Sequence, residues 1–221
     1  MDLTAVAFPF AWSAAGWIAA VLVLALAMRA APWRRFGESE PVHVWYGTIF
    51  ALVVLWNVQA TVGEGFTFHL LGVAAFALLA GPALALVGGA IVVVLLIAVR
   101  GGLWASAGLA FVTMVGVPVA TAWLVLRVAE RRLPPNFFIY VFVAAFFGAA
   151  LSLAAAGLAG AGALTAGAGR PVELVFGEYV PYLLYLAFGE ATLTGMVLTL
   201  AVVYRPQWVA TFDDARYLDG R

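Results

Sequence analysis

The chain has 221 residues, 66% of them hydrophobic and 10% charged, with a mean hydropathy of +1.07 and a net charge of zero. So little polar surface cannot solvate a globule of this size, and the composition points to a multi-pass protein of the inner (plasma) membrane. Neutrality leaves no electrostatic footprint for nucleic acid, and the absence of cysteine excludes disulfides, thiolate metal sites and thiol nucleophiles.

A helix needs roughly 20 apolar residues to cross the hydrocarbon. In chain order, the apolar blocks predict helices over about 10–30, 43–60, 66–80, 82–99, 103–127, 137–160 and 178–204. Asp2 precedes the first block and Arg29 follows it, the reverse of a secretory signal, so residues 1–30 read as a retained helix. The run 66–99 is too long for one span and breaks at Gly81-Pro82, where proline suits the first turn of a new helix. Pro32, Pro41, Gly101-Gly102, Pro134-Pro135-Asn136 and the Gly/Ala-rich stretch 157–169 punctuate the joins. The expected architecture is an all-α, seven-transmembrane-helix bundle over residues 1–204, followed by a short cytoplasmic tail, 205–221.

All eleven basic residues are arginines. Nine fall in three stretches, Arg29/Arg34/Arg35, Arg127/Arg131/Arg132 and Arg205/Arg216/Arg221, which an alternating threading puts on one side; Arg100 and Arg170 fall on the other. Cytoplasmic loops hold the excess of basic residues, so the amino terminus is expected outside and the carboxyl terminus inside.

Polar groups within apolar blocks are costly and therefore informative. Glu190 sits near the middle of the last helix and requires a partner; a neutral carboxyl donating to a neighbouring helix, with Asn57 or Gln59 as partner, is the expected structural tie. His69 is expected in the first turn of the third helix, after the outer loop 61–65. It shares a predicted membrane face with the amino terminus, Asp2, Glu64, Glu173 and Glu178, an imidazole, carboxylate and amine set suited to Ni, Co, Cu or Zn. His43 reads as an interfacial residue on the opposite side. Ala11, Ala15 and Ala19 form a small-residue row on helix one, suited either to packing within the bundle or to docking of another membrane protein. In the tail, Asp213, Asp214 and Asp219 alternate with Arg216, Phe212 and Tyr217, a mix suited to a partner surface or to a solvated end.

The run Thr67-Phe68-His69-Leu70-Leu71-Gly72, followed by Gly81-Pro82, resembles the "S-V-H-L-x-G … G-P" segment of the cobalt/nickel-type substrate-binding membrane components of energy-coupling factor transporters. Gly189-Glu190-Ala191-Thr192-Leu193-Thr194-Gly195 is similar to the "E-G-x-x-T-G" late helix of that family, and the order of helices corresponds over residues 45–205. The segments 133–138 and 210–218 look like a permease-like branch of the same superfamily.

The resemblance implies a fold in which the outer amino terminus enters the bundle and chelates a metal together with the imidazole before helix three. On this chain the ligands so implied are Met1, Asp2 and His69, with Glu64 as a further oxygen donor; Glu190, Asn57, Gln59 and Thr194 remain buried structural groups. Asp2 stands where the family has histidine, and Ala110 and Thr113 stand where it has asparagines. The implied activity is capture of a divalent transition metal as substrate, Co or Ni foremost and Cu or Zn also suited, with no organic cofactor and no enzymatic chemistry. The chain carries no G-x-x-x-x-G-K-[ST] and no lysine, so a separate membrane coupling subunit and cytoplasmic ATPases must supply the energy. The alternative is a membrane accessory or assembly factor that hands metal or cofactor to a partner. An intramembrane enzyme would need clustered acid/base groups that Glu190 alone does not provide.

Overall fold

The computed structural model describes residues 2–37, 39–63, 65–213 and 217, with only the backbone at Ser39. The chain is a helical bundle: α1 (Phe10–Ala30), α2 (Ser39–Asn57), a hairpin of β1 (Ala60–Val62) and β2 (Phe66–Phe68), then α3 (Val73–Ala80) and α4 (Pro82–Arg100). There follow α5 (Trp104–Arg132), α6 (Phe137–Gly167), the short α7 (Val172–Leu174, continued by a wide turn Val175–Tyr179) and α8 (Tyr182–Tyr204). Among the described residues, α1, α4, α5, α6 and α8 are long and apolar enough to cross a membrane. Helix is the expected answer there, because lipid offers no partner for an unpaired backbone group.

The third helix departs from the sequence expectation. It begins at Val73, because Phe66-Thr67-Phe68 pairs antiparallel with Ala60-Thr61-Val62, Phe66 opposite Val62 and Phe68 opposite Ala60. The turn between them places Gly63 and Gly65 at positive φ, 56° and 92°, where glycine carries no side-chain penalty. Phe66 and Phe68 are buried against Tyr179, with ring centroids 5.5 and 5.2 Å away. The expected break at Gly81-Pro82 is present, with Gly81 at φ 86° and Pro82 opening α4. The Gly/Ala-rich stretch expected as a join is instead helical as far as Gly167. Gly157 in it is a packing position: a Cβ there would strike the Leu183 side chain at 2.4 Å, so α8 lies in the groove it leaves.

Helices α1 and α5 cross backbone on backbone. A Cβ at Gly16 would lie 2.7 Å from the Leu109 nitrogen, and one at Gly108 would lie 2.5 Å from the Trp17 nitrogen. The buried face of α1 is Ser13, Gly16, Ala20 and Ala27. Ala11 and Ala15 are exposed and Ala19 half-buried, which rules out internal packing as the purpose of that row.

The core has two parts. The larger surrounds Trp56, Phe76 and Leu96; the smaller holds Leu126, Tyr140, Leu198, Phe212 and Tyr217. In the smaller part the tail turns back onto the bundle. Ala210 N donates to Leu79 O at 2.8 Å and Thr211 Oγ1 to Leu78 O at 2.8 Å, satisfying carbonyls that the end of α3 leaves open. Tyr140 Oη and Thr211 Oγ1 lie 2.7 Å apart, and Phe212 and Tyr217 stack with centroids 5.1 Å apart. Tyr217 therefore faces its own bundle and not a partner. Asp213 is exposed, and Asp214 lies outside the described residues.

Candidate metal site

His69 lies in an irregular segment, residues 69–72, between the hairpin and α3, and not in the first turn of a helix. Backbone off a helix must find hydrogen bonds elsewhere, and these come from two side chains. Glu190 of α8 accepts from Leu71 N through Oε2 at 2.8 Å and from Gly72 N through Oε1 at 2.6 Å. Trp56 of α2 donates through Nε1 to Leu71 O at 2.8 Å. Gly72 takes φ 65° as it enters α3. Glu190 thus ties α8 to this segment, with backbone N–H groups as partners and its carboxyl accepting where a donor to Asn57 or Gln59 was expected. Asn57 and Gln59 are engaged elsewhere.

The His69 ring is 3% exposed and packs on Trp56, with centroids 5.2 Å apart. Its Nδ1 lies 2.9 Å from Leu70 O. A carbonyl oxygen can only accept, so this contact puts the proton on Nδ1 and leaves a lone pair on Nε2. That Nε2 is buried, with no hydrogen-bond partner among the described residues. The neutral imidazole is the state in which histidine ligates metals. The Nδ1–carbonyl contact is the kind of second hydrogen bond that orients a ligating histidine.

Above this segment the amino-terminal strap is pinned at several points. Asp2 N donates to Thr67 O of β2 at 3.2 Å, Leu103 N donates to Thr4 O at 2.8 Å, and Ser106 Oγ donates to Val6 O. Leu3 and Thr4 are buried. The Asp2 carboxylate is fully engaged: Oδ1 accepts from Thr4 N at 2.8 Å and from Thr4 Oγ1, while Oδ2 accepts from Gln59 Nε2 at 3.2 Å and faces Arg100 Nη1 at 3.5 Å. Burial alone would raise the Asp2 pKa, but the hydrogen bonds from Thr4 and Gln59 outweigh it and hold the carboxyl below its ordinary value. Arg100 also donates to Asn57 Oδ1 at 3.0 Å and to Asn57 O at 3.1 Å, closing the end of α2. Asn57, Gln59 and Arg100 therefore form a seat for Asp2.

Of the residues expected to ligate metal, the structure brings His69 and Asp2 to one mouth of the bundle, while Met1 and Glu64 lie outside the described residues. Among the described residues no three histidine, aspartate or glutamate side chains gather as a ligand set. Thr194, one turn beyond Glu190, is buried with its hydroxyl unpartnered among the described residues. Ala110 and Thr113 are buried in α5, and Thr113 Oγ1 turns back to Leu109 O at 2.8 Å, so neither extends a donor away from its own helix.

Sequence reasoning missed Trp56, Thr4 and Arg100. Asp2-x-Thr4 is a local turn signature legible in advance. Trp56 is indistinguishable in sequence from an interfacial or packing tryptophan, and Arg100 reads only as a topology marker.

Two comparisons with known proteins bear on the chain as a whole. The family described as the cobalt uptake substrate-specific transmembrane region, CbiM, matches residues 3–208. A crystal structure described as that of a truncated transition metal transporter superposes with a TM-score of 0.78 at 16% identity, covering 92% of this chain and 97% of that one. That likeness shows a shared fold. Among curated proteins none matches.

Proposed function

Because the chain belongs to the CbiM family of cobalt-uptake substrate-specific transmembrane regions, we propose that it is the substrate-binding membrane component of an energy-coupling factor importer for a divalent transition metal. The observation that carries the reading is the buried Nε2 of His69, unpartnered among the described residues, on a loop braced by Glu190 and Trp56 beneath a pinned amino-terminal strap.

In this reading His69 Nε2 and the Met1 amine ligate the metal, with Glu64 as an oxygen donor. Asp2 is demoted from ligand to peg, since both of its oxygens are occupied. A set with one imidazole, an amine and oxygen suits Co and Ni and also admits Cu and Zn. Helices α2 and α3, the latter with its hairpin, complete seven spans with the metal mouth outside and the tail inside, as the arginine distribution supports. A separate membrane coupling subunit and cytoplasmic ATPases supply the driving force, and the outward row Ala11, Ala15 and Ala19 offers the coupling subunit a close-approach surface.

Isothermal titration of purified protein with Co, Ni, Cu and Zn tests this. The parent should bind at least one ion, His69→Ala should bind none, and two residues added before Met1 should weaken binding. If the intact protein binds none of the four, the importer reading falls and a membrane accessory factor takes its place.

A further inference from the structure

A large cavity lies away from His69. It is a groove of about 850 Å³ opening on the outside of the bundle, walled by α2 and α8 and floored by α3. Gly47 and Ala51 of α2 face Val197 and Ala201 of α8 across it, over Ala75 and Leu79. Gly47 and Ala51 leave open space in the α2 wall: a Cβ at Gly47 would meet nothing within 4 Å. The walls ask for no polar partner, since Thr48 Oγ1 is already donating to Val44 O at 2.7 Å.

One end of the groove differs. There the lining includes His43 and Arg205, together with the aromatic residues Tyr204 and Trp208, and among the described residues none of the lining is acidic. Arg35 adds a further cation nearby, lining a smaller crevice that shares Val44, Leu79 and Trp208 with the groove. The nearest acidic residue on α2 is Glu40, one turn before His43 and exposed. From His43 to Leu55 the groove follows 12 residues of helix, about 18 Å at ~1.5 Å per residue. That length is close to one leaflet, half of a hydrocarbon core roughly 30 Å thick. An apolar slot one leaflet deep, opening beneath a basic and aromatic rim, has the chemistry of a phospholipid: acyl chains in the slot, phosphate at the arginine.

We propose that this groove is a binding site for an anionic phospholipid, with Arg205 as its headgroup contact and Gly47 as the position that keeps the chain slot open. The site is independent of metal capture at the opposite end of α2. It does reach Gly72, the last residue of the segment that carries His69, so its occupant lies against the back of that segment.

Native mass spectrometry of the purified protein, titrated with phosphatidylglycerol or phosphatidylcholine of identical chains, tests the assignment. The parent should retain phosphatidylglycerol about fivefold better, the ratio given by roughly 1 kcal/mol for a basic residue at the membrane surface. Arg205→Gln should bring the two lipids to parity, and Arg205→Lys should restore the preference. Gly47→Trp fills the slot from a position with free space, and should abolish retention of both lipids while leaving thermal unfolding intact. Equal retention of both lipids by the parent, unaltered in Gly47→Trp, would reduce the groove to ordinary lipid contact and overturn the proposal. So would a Gly47→Trp protein that keeps its lipid but no longer co-purifies with a coupling subunit, for the groove would then be a protein interface.

Discussion

Glu190 on α8 and Gly72 at the entry to α3 are joined by a 2.6 Å hydrogen bond across 118 residues of sequence. With the companion bond to Leu71 N, it anchors the segment bearing His69 to the last long helix of the bundle. Two donors converge on two oxygens, and this makes the site unforgiving. Glu190→Gln can accept at only one of the two, leaving a buried N–H unsatisfied at about 1–3 kcal/mol. Thermal unfolding in detergent should therefore fall for Glu190→Gln and further for Glu190→Ala. A glutamine variant as stable as the parent would show that the second bond contributes nothing.

The peg role of Asp2 separates from a ligand role through Gln59, whose amide reaches Oδ2 of Asp2. Partners that orient ligands typically contribute about 10–100-fold in metal affinity. Gln59→Leu should weaken metal binding by roughly tenfold, at the low end of that range. X-ray absorption of the loaded variant should show the same donor atoms as the parent. Unchanged affinity would remove Asp2 from the site.

Close approach of α1 and α5 depends on Gly16 and Gly108, because the atoms a side chain would strike are backbone. Gly108→Ala must push the helices apart, an overpacking effect of about 1–3 kcal/mol. Gly177→Ala, where a Cβ meets nothing within 4 Å, is the control and should unfold with the parent. Coincident melting of all three proteins would contradict the crossing.

At the other end, Thr211 links Tyr140 to the Leu78 carbonyl and holds the tail. Thr211→Val keeps the shape and removes both bonds, at about 1 kcal/mol each. Limited proteolysis with a protease of broad specificity should then cut within residues 207–213 faster than in the parent, with the bundle intact. Equal cleavage rates would show that the aromatic cluster of Tyr140, Phe212 and Tyr217 suffices.

For topology, reporters inserted at Gly65 and Gly169 should report the outside, and reporters at Pro134 and after Arg221 the inside. An inside Gly65 would invert the bundle and move the metal mouth to the wrong compartment.

The membrane class, the positions of the long helices and the break at Gly81-Pro82 were legible in the sequence, because they depend on quantities read along the chain: apolar run length and the placement of proline and glycine. His69 reads as a metal candidate from the carboxylates and amine expected at its membrane face and from its motif. What the sequence could not disclose is which polar groups meet. Glu190 was recognisable as needing a partner, but Asn57, Gln59 and the Leu71–Gly72 backbone lie about equally far from it along the chain, and only the packing of α8 on α3 chooses the backbone. Asp2 reads as a ligand until Thr4, Gln59 and Arg100 are seen to occupy its oxygens. Ala11, Ala15 and Ala19 share a helix face in any helix; whether that face is buried is decided by Gly16 meeting Gly108. The helix start at Val73 and not at residue 66 has the same origin, since Phe66 and Phe68 are apolar enough for a helix and become a strand because Tyr179 and β1 receive them. Local composition selects the elements, and contacts between distant segments select the partners of every polar atom the elements bury.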